Sequence, residues 1–79
     1  MTNREKYNKA FMEALDVEEN QLAGLKYQDV PAWDSVGHMG LISELEDAFD
    51  IQFETDNIVD FGSYEKGIEL LKKYDVEIA

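Results

Sequence analysis

The sequence predicts an all-α fold, a small four-helix bundle of three main helices and one short helix with a long first loop. Three observations carry that expectation. Apolar residues recur at three- and four-residue spacings in three separate segments, the period of a helix with one buried face. A hydroxyl residue able to cap the helix precedes each segment: Thr2, Ser35 and Ser63. Between the first two segments lies a stretch with no sustained period, holding Gly24 and the one proline, Pro31.

Taken in order, Thr2 and Glu5 have capping-box spacing, and Tyr7, Phe11, Ala14 and Leu15 form the stripe of a first helix. Asp16 to Asp34 is a long connection. Such connections are uncommon in compact domains unless they are functional or packed down by their own side chains. Leu22, Leu25, Tyr27, Val30 and Trp33 are placed to do the packing. Ser35 is expected to cap a second helix running from Val36 to Phe49. Its buried stripe is Met39, Ile42, Leu45 and Phe49, widened by Leu41 and Ala48, with Glu44, Glu46, Asp47 and Asp50 outside it.

Ile51-Gln52-Phe53 alternates like a strand, but three such residues alone read as the exit from the second helix. Thr55 or Asp56 starts a short turn carrying Ile58, Val59 and Phe61. Ser63 caps a last helix with Tyr64, Ile68, Leu71 and the aliphatic part of Lys72 or Tyr74 alongside. Lys72 and Lys73 suit the negative end of its dipole.

Residues 1–79 are expected to form a single domain with a modest core. No cysteine is present to supply disulfides or thiolate ligands. The opening MTNREKYNKA is too polar for a signal peptide and no apolar run approaches membrane-spanning length, so a soluble cytoplasmic protein is expected; a monomer is expected as well. Eighteen acids oppose seven bases, a net charge of −11. Ten of those acids lie between Lys26 and Lys66, an interval with no Lys or Arg. Such a field repels nucleic acid and anionic membranes and attracts basic protein surfaces.

The densest chemistry is in Trp33-Asp34-Ser35-Val36-Gly37-His38, which holds the residue types of a hydrolytic triad. Neighbours on one helical turn do not supply triad geometry. The nucleophile-elbow pattern also fails, because Trp33 stands at its first glycine. His38 reads as a partly exposed helix residue and not as a catalytic base. Asp56-Asn57-Ile58-Val59-Asp60-Phe61-Gly62 lacks the acidic spacing of a calcium loop, so no metal site is expected. A serine at a helix start is instead a sensible place for a phosphodiester, which would meet free backbone amides and the positive end of the dipole.

Asp34-Ser35-Val36 followed by LISELEDAFDIQF, Leu41 to Phe53, resembles the acyl carrier protein family. The similarity extends over nearly the whole chain, with serine motif, second-helix pattern, length and acidity agreeing together. Trp33 and His38 make the chain look like a stand-alone carrier of a specialised pathway. The resemblance implies that Ser35 carries 4'-phosphopantetheine, a flexible arm ending in a thiol. It implies that Asp34 helps a phosphopantetheinyl transferase and its magnesium ion engage, and that Val36 and Met39 lie beside the arm. Val36, Glu44, Glu46 and Asp47 would meet the basic docking surfaces of acyl-loading and acyl-processing enzymes. Ile42, Leu45 and Phe49 would face the interior where acyl chains can lodge. The chain departs from the family pattern in Val36 for leucine, in Gly37 and Gly40 where longer, often acidic residues are common, and in a VPAW loop.

The function expected on this basis is that of a non-enzymatic carrier holding acyl intermediates as thioesters. An aminoacyl or peptidyl carrier using the same arm, and an unmodified acidic docking module in which Ser35 only caps the helix, are the alternatives.

Overall fold

A computed structural model of the chain describes residues 2–78. Four α-helices are found among them: α1 (Asn3–Leu15), α2 (Ser35–Phe49), α3 (Thr55–Asp60) and α4 (Tyr64–Lys72), with a 3-10 turn at Glu19–Gln21 inside the first connection. No β-strand occurs among the described residues, only an isolated bridge between Lys26 and Ser63. The all-helical expectation holds at this level, as does the reading of Ile51 to Phe53 as an exit. Those residues leave α2 through Asp50, which ends the helix in a left-handed conformation at φ 52°.

α1 starts as its sequence requires. The Thr2 hydroxyl accepts from the Glu5 amide at 3.1 Å, and the Glu5 carboxylate accepts from the Thr2 amide at 2.9 Å. These bonds hold the exposed Glu5 carboxyl below the usual carboxylate range. Tyr7, Ala10, Phe11 and Leu15 are buried. Phe11 is central to the core: its ring meets Tyr64 at 5.3 Å, Trp33 edge-on at 5.5 Å and Phe61 at 6.0 Å.

Tyr7 ties the ends of the bundle together. Its hydroxyl donates to the Tyr64 carbonyl at 2.6 Å, and the bond is buried. Burial pushes the Tyr7 phenol far above the ordinary tyrosine range, so it stays a neutral donor. The Tyr64 hydroxyl donates to Asn8 and accepts from Arg4 Nη1 at 3.0 Å. Room for this contact depends on Gly67, where a Cβ would stand 2.1 Å from the Tyr7 hydroxyl and 2.3 Å from Phe61 Cζ.

The long connection is packed down largely as its composition suggests. Leu22, Leu25 and Trp33 are buried and Val30 is half-buried, while Tyr27 stays exposed. Its backbone polar groups are satisfied partly by the start of α4: Tyr27 N donates to Gly62 O and Tyr64 N to Leu25 O, both at 2.9 Å.

Four details of the helices differ from expectation. Met39 is 54 % exposed and does not belong to the buried face of α2, which is Leu41, Ile42 and Leu45 with Phe49 half-buried. At 3.6 residues per turn Met39 lies about 120° around the helix from Leu45, off the edge of that face. In α3, Phe61 is buried just beyond the helix and Ile58 is half-buried, but Val59 points outward. In α4, Leu70 joins Leu71 in the core, and Lys72 is exposed instead of lying along it. Finally, the chain continues past α4 to bury Val76 and Ile78, which no helical period could announce.

α3 has six residues and no side-chain cap. A helix this short is unstable in isolation and depends on outside contacts. At its start, the Tyr74 hydroxyl accepts from the Glu54 amide at 3.0 Å and from Asn57 Nδ2 at 2.6 Å. Near its end, His38 of α2 bonds the Ile58 carbonyl at 2.8 Å.

Candidate functional site

The start of α2 is capped by Asp34 and not by Ser35. The Asp34 Oδ1 accepts from the Gly37 amide at 2.8 Å, and its carbonyl accepts from the His38 amide at 2.8 Å. Ser35 is the first helical residue, exposed and outside the capping bond. The correction has a simple cause: aspartate and serine cap about equally well, and the side chain one place earlier has the extended backbone a cap needs. Of the first-turn amides, those of Ser35 and Val36 remain the donors that the helix leaves unsatisfied.

The segment before the helix folds back hard against it. A Cβ on Gly37 would lie 1.8 Å from the Ala32 carbonyl oxygen, so Val30 to Trp33 can double back only over a glycine. Doubling back sends Trp33 into the core with no exposure. Its indole N–H still finds an acceptor, His38 Nδ1, at 3.0 Å. The two rings stack with an interplanar angle of 17°. Since an indole N–H can only donate, Nδ1 is unprotonated, and the ring proton sits on Nε2 and is donated to the Ile58 carbonyl. Both ring nitrogens are thus engaged away from Ser35, and the arrangement is not that of a serine–histidine couple.

The exposed face of α2 runs Val36, Met39, Gly40, Ser43, Glu44, Asp47. It is apolar beside Ser35, with Val36 79 % exposed, and acidic at the far end. Glu44 and Asp47 lie about 14 to 18 Å along the helix from Ser35, at 1.5 Å per residue. The structure therefore groups Ser35, Asp34, Val36 and Met39 at one end and separates them from those acids. Glu46 is set apart again: half-buried, it turns its carboxylate to accept the Phe53 amide at 2.8 Å. That bond secures the exit from α2, so Glu46 has an internal role besides its charge.

Glu44 and Asp47 border a groove of about 310 Å³ between α1 and α2, whose other wall includes Lys6 and Lys9. Ile42 and Leu45 are core residues and Phe49 is half-buried.

Sequence reasoning missed the contribution of α3. Held beside the start of α2 by His38, it adds an exposed apolar residue, Val59, and exposed acids, Asp56 and Asp60. The signal was the base-free interval, which includes all three positions. No three or more His, Cys, Asp or Glu side chains come together among the described residues as a metal cluster would require. No helix among them is long and apolar enough to cross a membrane.

No protein-family model, curated protein or solved structure matches this chain.

Proposed function

We propose that the chain is a carrier protein of the acyl-carrier type, with Ser35 the attachment point for 4'-phosphopantetheine. When bound, that group supplies a thiol able to hold acyl intermediates as thioesters for separate biosynthetic enzymes. The observation that carries the reading is the capping of α2 by Asp34, which leaves Ser35 exposed at the helix start without a capping duty. A serine kept only as a cap would be expected at the position Asp34 holds. The residues around it suit a phosphodiester on Oγ: the amides of Ser35 and Val36, which have no acceptor within the helix, and the positive end of the helix dipole would both favour an anion there.

In this reading Asp34 shapes the serine's turn for the modifying enzyme, and Val36 and Met39 give that enzyme an apolar foothold. Glu44 and Asp47 on α2, together with Asp56 and Asp60 on α3, offer charge to basic partner surfaces. The domain itself contributes an address and a tether, with no catalytic group of its own. The test is intact mass after incubation with coenzyme A, magnesium and a broad-specificity phosphopantetheinyl transferase. Wild type is expected to gain one phosphopantetheine and Ser35→Ala none. A gain in Ser35→Ala, or none in folded wild type, would overturn the assignment.

A further inference from the structure

His38 has no part in the carrier chemistry, yet its side chain is bonded to both structures that flank the start of α2. Neutral, it accepts from Trp33 on one ring nitrogen and donates to the Ile58 carbonyl from the other. Tyr27 meets the ring edge-on at 5.6 Å and Phe61 at 6.0 Å, so the imidazole is wedged between the connection and α3. We infer that His38 is a proton-controlled latch, closed when neutral, that fastens the Trp33 turn to α2 and α3 around Ser35.

The chemistry of the two bonds makes the latch one-sided. A cationic imidazole carries a hydrogen on both nitrogens. The Nε2 bond to Ile58 survives protonation and strengthens, because that carbonyl lies in the last turn of a helix, where positive charge is favoured. The Nδ1 bond cannot survive, because two N–H groups would then face each other at the present 3.0 Å separation. Trp33 is fully buried and cannot retreat, so protonation moves the imidazole away and leaves the indole N–H without its acceptor.

Titratable groups lie on each of the elements packed against the ring. They are Lys26, Tyr27, Asp29 and Asp34 in the connection, Asp56 and Asp60 on α3, and Glu44 further along α2. Asp29 and Asp34 are each already bonded to a backbone amide. On protonation the ring therefore exchanges a two-sided contact for a one-sided one.

Trp33 and His38 bracket Asp34 to Gly37, so their bond spans the turn that presents Ser35. Release of that bond loosens the serine's turn, while the Nε2 bond keeps α3 fastened to α2. The consequence for Ser35 rests on the carrier reading; the latch itself does not.

The chain has one tryptophan and one histidine, so both partners can be followed without ambiguity. In the full-length protein, the indole N–H and imidazole resonances would be recorded from about pH 8 to about pH 5. The indole signal is expected to move in one step that tracks the imidazole. Its hydrogen exchange, corrected for the intrinsic pH dependence of indole exchange, should be at least about fivefold faster at the acid end, the scale of one lost hydrogen bond. In His38→Gln the side-chain carbonyl can accept and the amide can donate at every pH, so the step should vanish. His38→Phe keeps a ring in place without an acceptor, and its corrected exchange should be fast throughout.

An indole signal that ignores the imidazole titration, or that steps equally in His38→Gln, would overturn the latch. The ratio of wild-type to His38→Gln modification rates by transferase and coenzyme A should also change at least about twofold across the same range. Using the ratio cancels the transferase's own pH dependence. An indole step without modification at any pH would sink the carrier reading alone, and modification with an unresponsive indole would sink the latch alone. An indole step with a constant ratio would sever the latch from Ser35.

Discussion

Gly37 and Gly40 sit three residues apart in α2 and have opposite requirements. At Gly37 a Cβ would collide with the Ala32 carbonyl oxygen, whereas at Gly40 it would meet nothing within 4 Å. Glycine at position 40 only lowers helix propensity. Gly40→Ala should stabilise the protein by about 1 kcal/mol, raising Tm by about 4–8 °C. Gly37→Ala should destabilise it by about 3 kcal/mol, since the obstruction is backbone and not a side chain that can rotate away. Thermal unfolding followed by circular dichroism checks both, and equal effects of the two substitutions would refute the account. The two glycines look alike in the sequence, where each weakens the helix. What separates them is the doubling back of Val30 to Trp33, a tertiary event without a periodic signature. The change of cap from Ser35 to Asp34 was hidden for the same kind of reason: two good capping residues stand side by side, and only the path of the chain chooses between them.

The longer helices were legible because a single buried stripe repeats often enough to define them. α1 and α4 begin where Thr2 and Ser63 place them, with the Ser63 hydroxyl accepting from the Lys66 amide at 3.0 Å. α3 was legible only as a turn. Its seat depends on Tyr74 and His38, seventeen or more residues in sequence from the groups they bond, and no local pattern says whether Val59 meets solvent. The acids of α2 divide at this same scale. Glu44→Lys with Asp47→Lys should lower the rate of phosphopantetheine transfer and leave Tm nearly unchanged, and raised salt should slow transfer to the wild type. Glu46→Lys should also lower stability, by about 1–2 kcal/mol, because Phe53 loses its acceptor. Transfer kinetics and melting curves on the same samples separate docking from structure; unaltered transfer in the double variant would move the docking surface off α2.

For the molecule as a whole, the net charge of −11 is spread over a small surface, and the bases are gathered away from the middle of the chain. Arg4, Lys6 and Lys9 lie on α1, whereas α2 and α3 carry acids and no Lys or Arg. The ion pair between Lys66 and Glu69, 3.9 Å apart, joins two exposed side chains and contributes little. Self-repulsion should therefore be a measurable part of the stability. Raising the salt concentration from low to about physiological ionic strength shortens the screening length to about 8 Å, and Tm at neutral pH should rise. A Tm indifferent to salt would mean that the acids are too far apart in space to repel one another.

The bond from the Tyr7 hydroxyl to the Tyr64 carbonyl closes a sequence separation of 57 residues, and that distance is also an interval of time. A ribosome adding about 5–20 residues per second needs roughly 3 to 11 s to pass from one residue to the other. Throughout that interval α1 has been made but the tyrosine that completes its apolar side has not. Phe11 waits longer for Phe61 and Tyr64 than for Trp33. α1, made before the other three helices, is thus among the last to be satisfied, and the emerging chain must keep an aromatic edge from sticking elsewhere. The acids translated during the wait, most of those between Lys26 and Lys66, arrive while that edge is still bare. Like charge of that density should keep nascent chains apart from one another, whatever it costs the finished domain.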